Sequence, residues 1–306
     1  MKPIEARTER GRRAPPLPSP GVRFGEGFLD RLGRLALRVR SRRERREGGG
    51  EARLLGGGME FVGFRPYRPG EDLRRLDWNL FARHRRPFVR VSRRESSERW
   101  SVLLDRSASM GTGFPGKLQL AAEVVLGLKA AANIEGAEVD LHLMVRGEPH
   151  RHRGRGAALA EWMELLESTE ARGRGGLARL LAEPGRFKDA RALFLVGDLA
   201  DLQPADIPRL TRSGRDILLV QVLAPEERDP TRLPEATHGD AVRWADPEST
   251  GVRTVRLDAH ALAEYERGLG ARLEAWRAIA AHHRVSFTTV TSDTPFEAVV
   301  ERVFAR

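Results

Sequence analysis

The stretch "LLDRSASMGTGFPGKLQL", Leu103 to Leu120, concentrates residues that could do chemistry. Asp105, Ser107 and Ser109 form D-x-S-x-S. Two hydroxyls two residues apart in a loop can face one point, with a carboxylate just before them supplying charge. Hard cations such as Mg²⁺ favour oxygen donors of this kind. A second carboxylate, Asp198 at the end of "LFLVGD", can complete the negative shell. A position left open on the ion would take a carboxylate from a partner. The same residue types at the same spacing could also form a hydrogen-bonded helix cap with no metal.

Two other patterns overlap this one. Gly111, Gly113 and Gly116 have the G-x-G-x-x-G spacing of a dinucleotide turn, and Gly111 to Lys117 have the G-x-x-x-x-G-K spacing of a triphosphate loop. Both loops must follow a strand directly, whereas Arg106 to Met110 intervene here. Position 118 is Leu, where a triphosphate loop needs a Ser or Thr hydroxyl, and the second strand runs into Val145-Arg146 instead of an acid. D-x-S-x-S alone uses the residues at the strand end. Nucleotide binding through Lys117 stays as an alternative. Enzymatic chemistry is not expected: there is no G-x-S-x-G elbow and no cysteine. His150-x-His152 falls in an Arg-rich loop, and His282-His283 end a helix, where adjacent residues cannot face one site.

The elements that must position these residues begin near Trp100. "WSVLLD" reads as a short apolar strand, "KLQLAAEVVLGLKAAAN" as a helix and "AEVDLHLMV" as a strand. "AALAEWMELLES" and "GLARLLAE" read as helices, "ARALFLVGD" as a buried strand, "PADIPRLTRSG" as a helix and "DILLVQVLA" as a strand. Residues 225–258 are irregular, with room for a hairpin. A long helix, the strand "VSFTTVT" and the helix "PFEAVVERVF" follow. Strands alternating with helices predict a mostly parallel sheet covered on both faces. Ligands then bind at the carboxyl ends of strands, where strand order reverses, and Asp105 and Asp198 both fall at such ends.

Upstream, residues 1–23 are rich in Pro, Arg and Gly and predict a disordered basic tail. Phe28, Leu32, Leu35 and Val39 form one stripe of a basic amphipathic helix within 24–53, which could pack on its own domain, on a partner or on a membrane. Residues 54–94 are Arg-, Gly- and aromatic-rich and end in the strand "FVRVSRR". Of the net charge of +10, residues 1–100 supply 26 Lys+Arg against 13 Asp+Glu. Such asymmetry suits an acidic surface, whether nucleic acid, anionic membrane or protein, or is simply a solvated face. No apolar run approaches the ~18 to 20 residues that span a bilayer. With no cysteine and no signal-peptide core, a soluble cytoplasmic protein is expected.

"WSVLLDRSASM" followed by a helix and then "LFLVGD" resembles the von Willebrand factor A domain with its metal-ion-dependent adhesion site. The denser match runs from Gly56 to Met110 and includes Glu60-Phe61, Arg65-Pro66-Tyr67, Pro69-Gly70, Asp72, Arg74 and Asp77-Trp78. It resembles the bacterial domain-of-unknown-function family fifty-eight. The resemblance implies a doubly wound α/β fold over 95–306 with a family-specific segment at 54–94. It also implies an adaptor working with a MoxR-type AAA+ ATPase, and Mg²⁺ (or Mn²⁺) on Asp105, Ser107, Ser109 and Asp198. The family's next ligand is a Thr or Ser in a G-G-T-x-L loop. Here that loop reads "GRGGLARLL", with Gly176 before Leu177 and with Ser168 and Thr169 upstream, so a weakened site is expected. Arg65, Asp72, Arg74 and Asp77, with Tyr67 and Trp78, are expected to staple the family segment onto the sheet.

Overall fold

The computed structural model describes residues 21–47, 59–66, 88–94, 98–145, 148–153, 158–175, 177–182, 185–212, 214–233, 241–245, 247–248 and 251–305. In chain order the elements are α1 (Phe28–Glu47), β1 (Met59–Pro66), β2 (Phe88–Arg94), β3 (Arg99–Leu104), α2 (Lys117–Glu135), β4 (Glu138–Val145) and β5 (Glu148–His152). They continue with α3 (Leu159–Glu167), α4 (Leu177–Ala182), β6 (Ala192–Gly197), α5 (Ile207–Thr211), β7 (Asp216–Leu223) and α6 (Pro225–Arg228). The last are β8 (Ala241–Ala245), β9 (Val252–Arg256), α7 (Ala259–His282), β10 (Ser286–Thr291) and α8 (Phe296–Phe304).

Six strands form one sheet in the order β10-β7-β6-β3-β4-β5. All its pairs are parallel except β4–β5, which is antiparallel. The chain leaves β3 for β4 and β5 on one side, then returns to lay β6, β7 and β10 on the other. Strand order therefore reverses between β3 and β6, where a doubly wound sheet opens a crevice at its carboxyl edge.

Successive strand residues point to opposite faces, and the two cores follow that alternation. Trp100, Val102 and Leu104 of β3 and Phe194 and Val196 of β6 pack with α1, α2 and α8. Leu103, Leu193 and Leu195 pack on the other face with Leu177 and Leu180 of α4, Ile207 of α5 and Trp276 of α7. Burial on both faces explains why β6, "ALFLVG", is apolar throughout and buried at every position.

The stripe of α1 is buried: Phe28 is 4%, Leu32 1%, Leu35 0% and Val39 4% exposed, within the same core as α2 and α8. Close approach depends on Gly127 of α2, where a Cβ would lie 2.7 Å from Val300 Cγ2 and 3.3 Å from Leu35 Cδ2. Arg31 donates from Nε and from Nη2 to the two carboxylate oxygens of Glu297, 2.7 Å each, a bidentate fork. Arg38 pairs with Glu301 at 3.1 Å. Ordered packing starts before the helix. Val22 is buried, and the side chain of Gln119 accepts from the Arg23 N–H and donates to the Arg23 carbonyl.

Three elements differ from the sequence reading. His150 and His152 lie on β5, an edge strand, because its antiparallel pairing with β4 satisfies a backbone whose side chains carry no apolar alternation. The helix expected over 204–214 is a 3₁₀ turn at Pro204–Asp206 followed by the five-residue α5, with prolines at the start of each. β1 pairs with β2 through a register shift between Phe61 and Gly63, which breaks the period-2 signal there. The side chains of Arg65, Tyr67, Asp72, Arg74, Asp77 and Trp78 lie outside the described residues. Among the described residues no helix is long and apolar enough to cross a membrane.

Candidate metal centre

The site begins where the two central strands end. The β3–β6 ladder carries one bond past β3, from the Asp105 N–H to the Val196 carbonyl at 2.9 Å. Asp105 and Asp198, the residues after β3 and β6, are thereby set side by side. Gly197 makes room for the first: a Cβ there would lie 2.3 Å from Asp105 Cβ.

The chain after Asp105 folds back on it. The Ser107 N–H donates to Asp105 Oδ1 at 2.8 Å, and a 3₁₀ turn follows over Ala108–Gly111. The Ser107 and Ser109 hydroxyl oxygens are 2.9 Å apart, and the Ser109 hydroxyl also bonds to Asp198. Thr112 Oγ1 donates to the Ser109 carbonyl at 2.7 Å and closes the loop. Asp105, Ser107, Ser109 and Asp198 are thus gathered in one cluster, with exposures of 1%, 4%, 0% and 6%.

Lys117, the first residue of α2, turns into the same cluster and is fully buried. Its Nζ donates to Asp198 Oδ2 at 3.0 Å and to Glu227 Oε1 at 2.8 Å. Glu227, in α6, takes the Ala224 N–H on Oε2 at 2.7 Å, and its backbone carbonyl accepts the Tyr265 hydroxyl from α7. The remaining oxygen of Asp198, Oδ1, accepts the Ala200 N–H at 2.9 Å.

Burial pushes the Asp105 carboxyl well above its usual range, and the neighbouring charges of Asp198 and Asp201 push it further. Burial acts upward on Asp198 too, but Lys117, the Ser109 hydroxyl and the Ala200 N–H outweigh it and hold Asp198 low. Burial opposes the Lys117 ammonium, yet its two carboxylates raise it above its ordinary value. Glu227 is raised, because burial exceeds the pull of Lys117.

The loop after α3 forms a third wall. The Arg172 N–H donates to the Arg106 carbonyl at 2.7 Å, and the Ala108 N–H donates to the Gly173 carbonyl at 3.0 Å. Ser168 and Thr169 both spend their hydroxyls on the Leu165 carbonyl and do not reach the cluster. Gly176 lies outside the described residues, and by its type it offers no hydroxyl.

The donors suit a divalent ion on the Asp105 side. An ion taking both serine oxygens would replace the 2.9 Å hydrogen bond that now joins them. Asp105, Asp198 and Glu227, when ionised, carry three negative charges against the one positive charge of Lys117, an imbalance of two. Among the described residues no three His, Asp or Glu side chains converge on a metal position, so an ion here depends on the serines. The geometry disfavours Lys117 as a phosphate ligand, because two carboxylates already enclose its ammonium and would repel a polyanion.

Sequence reasoning identified Asp105, Ser107, Ser109 and Asp198 as one group and Lys117 only as part of a rival motif. It missed Glu227 and Gly197. Glu227 stands in a stretch that reads as irregular, 110 residues from its partner, and no local pattern marks it.

A mostly parallel sheet with helices on both faces, and a D-x-S-x-S loop at its switch point, define a doubly wound α/β domain. The chain belongs to the family described as "Protein of unknown function DUF58", which it matches over residues 63–273. It is 27% identical over 237 residues to Uncharacterized protein Rv1480 of Mycobacterium tuberculosis (strain ATCC 25618 / H37Rv), covering 71% of this chain and 70% of the relative. The same figures hold for Uncharacterized protein Mb1516 of Mycobacterium bovis (strain ATCC BAA-935 / AF2122/97). Among solved structures, the SpRpn10 VWA domain aligns with a TM-score of 0.37 at 10% identity, over 67% of this chain and 93% of that one.

Proposed function

We propose that the protein is a non-enzymatic interaction module that captures a partner carboxylate at the carboxyl edge of its sheet. The supporting observation is the gathering of Asp105, Ser107, Ser109 and Asp198 at the β3/β6 switch point, an oxygen-rich set suited to a hard cation. These four residues would hold Mg²⁺ or Mn²⁺. When bound, the ion supplies an open coordination position for the incoming carboxylate. Asp105 and Asp198 would supply its countercharge, and the serines would fix its position. The third wall mixes signs: Arg172 pairs with Glu170, and Arg174 donates to the Glu248 carbonyl. A MoxR-type AAA+ ATPase is the partner that family resemblance suggests.

The test is calorimetric titration of Mg²⁺ and Mn²⁺ into the wild-type protein and Asp105→Ala, followed by binding of a purified MoxR-type ATPase with and without metal. Saturable metal binding is expected, lost in Asp105→Ala while the far-UV spectrum is kept. Equal binding by both proteins would place any ion elsewhere and remove this reading.

A further inference from the structure

The least expected group in the cluster is Lys117. A fully buried ammonium is costly unless charges surround it, and here it touches two carboxylates from distant parts of the chain. It reaches Asp198 through Oδ2, while Oδ1 is taken by the Ala200 N–H and Ser109 also bonds to the carboxylate. The positive end of this side chain therefore does for Asp198 what a bound cation would do. Asp105 has no such cationic partner among the described residues: it takes the Ser107 N–H on Oδ1 and a bond from the Ser107 hydroxyl.

We infer that Lys117 is the resident cation of this site: its ammonium neutralises Asp198, keeps the pocket formed without metal and competes with a divalent ion for that carboxylate. The inference rests on the proposed metal reading for its competitive part and on the observed ion pairs for the rest. Lys117 acts as a positioning residue. It fixes where Asp198 points and ties it to Glu227, and through the Glu227 carbonyl to Tyr265 of α7.

The experiment compares wild type, Lys117→Met, Asp198→Asn and the double variant, by urea unfolding without metal and by Mn²⁺ titration. Methionine keeps the length and apolar stem but removes the charge. Lys117→Met is expected to unfold at lower urea than wild type, because Asp198 and Glu227 are left buried without a counter-ion. Adding Asp198→Asn should raise the midpoint again by relieving that charge. Lys117→Met should also bind Mn²⁺ about tenfold or more tightly than wild type, through loss of the competing charge. If Lys117→Met yields no soluble protein, recovery of soluble protein in the double variant is the same readout. A double variant as unstable as Lys117→Met would overturn the inference, because Lys117 would then act by packing alone. So would Mn²⁺ binding by wild type that is unchanged or weakened in Lys117→Met. If neither protein binds Mn²⁺, the metal reading fails, and the resident-cation claim is decided by the double variant.

Discussion

His142 illustrates how a single side chain can set a pH limit. It lies mid-strand on β4 with no exposure, its ring 4.9 Å from that of Phe187, and neither nitrogen has a hydrogen-bond partner among the described residues. Burial depresses its pKa from 6.5 to about 4. The unfolded chain therefore takes up this proton near pH 6.5, while the folded chain resists it until about 4. The histidine leaves stability intact above pH 6.5 and erodes it as pH falls through that window, by up to about 3 kcal/mol. Urea unfolding at pH 7, 5.5 and 4.5 should show a steep loss in the wild type and a shallower one in His142→Leu. An equal slope in both would assign the acid sensitivity to other groups. The sequence reading weighed His150, His152, His282 and His283 and passed over His142, because a lone histidine in an apolar strand carries no motif. Its ring is covered in part by Phe187, from a turn that no local pattern links to it. Asp105, Ser107 and Ser109 were legible because one loop carries all three.

Among the elements, α1 is held most explicitly by named contacts. Its apolar stripe was plain in the sequence at spacings of 4, 3 and 4, but its destination was not. A stripe shows that a face will be covered, and only the fold tells what covers it. Leu35 sits at the junction, fully buried in the core shared with α2 and α8 and against Gly127 of α2. Leu35→Ala should cost about 2–5 kcal/mol, read as a lower urea midpoint with an unchanged m-value. A loss under 1 kcal/mol would mean that α1 is only loosely docked. The strands β3, β6 and β7 were legible as short apolar runs, and β4 and β10 as β-branched or alternating stretches bounded by turn residues. β5 and β1 were not, since edge and bulged strands owe their shape to a pairing partner rather than to their own pattern.

At the scale of the whole molecule, the basic excess of the first hundred residues is partly spent on internal contacts. Arg31 grips Glu297 and lies over the Phe296 ring, and Arg38 grips Glu301. These residues join the first and last described helices, and α2 lies under both. Removing residues 1–47 should therefore expose the apolar face of α2 instead of merely reducing charge. We expect that shortened chain to bind a hydrophobic dye and to unfold at lower temperature than the full one, with sharp melting at wild-type temperature as the contrary result. The same clasp bears on synthesis, which runs in one direction. The two halves of the Arg31–Glu297 fork are 266 positions apart, and those of the Lys117–Glu227 pair 110 apart. On the ribosome α1 waits through nearly the entire elongation for the helix that covers it, while the buried ammonium meets its two acids partway through. The cluster at the carboxyl edge of the sheet is thus assembled before the end that seals the core.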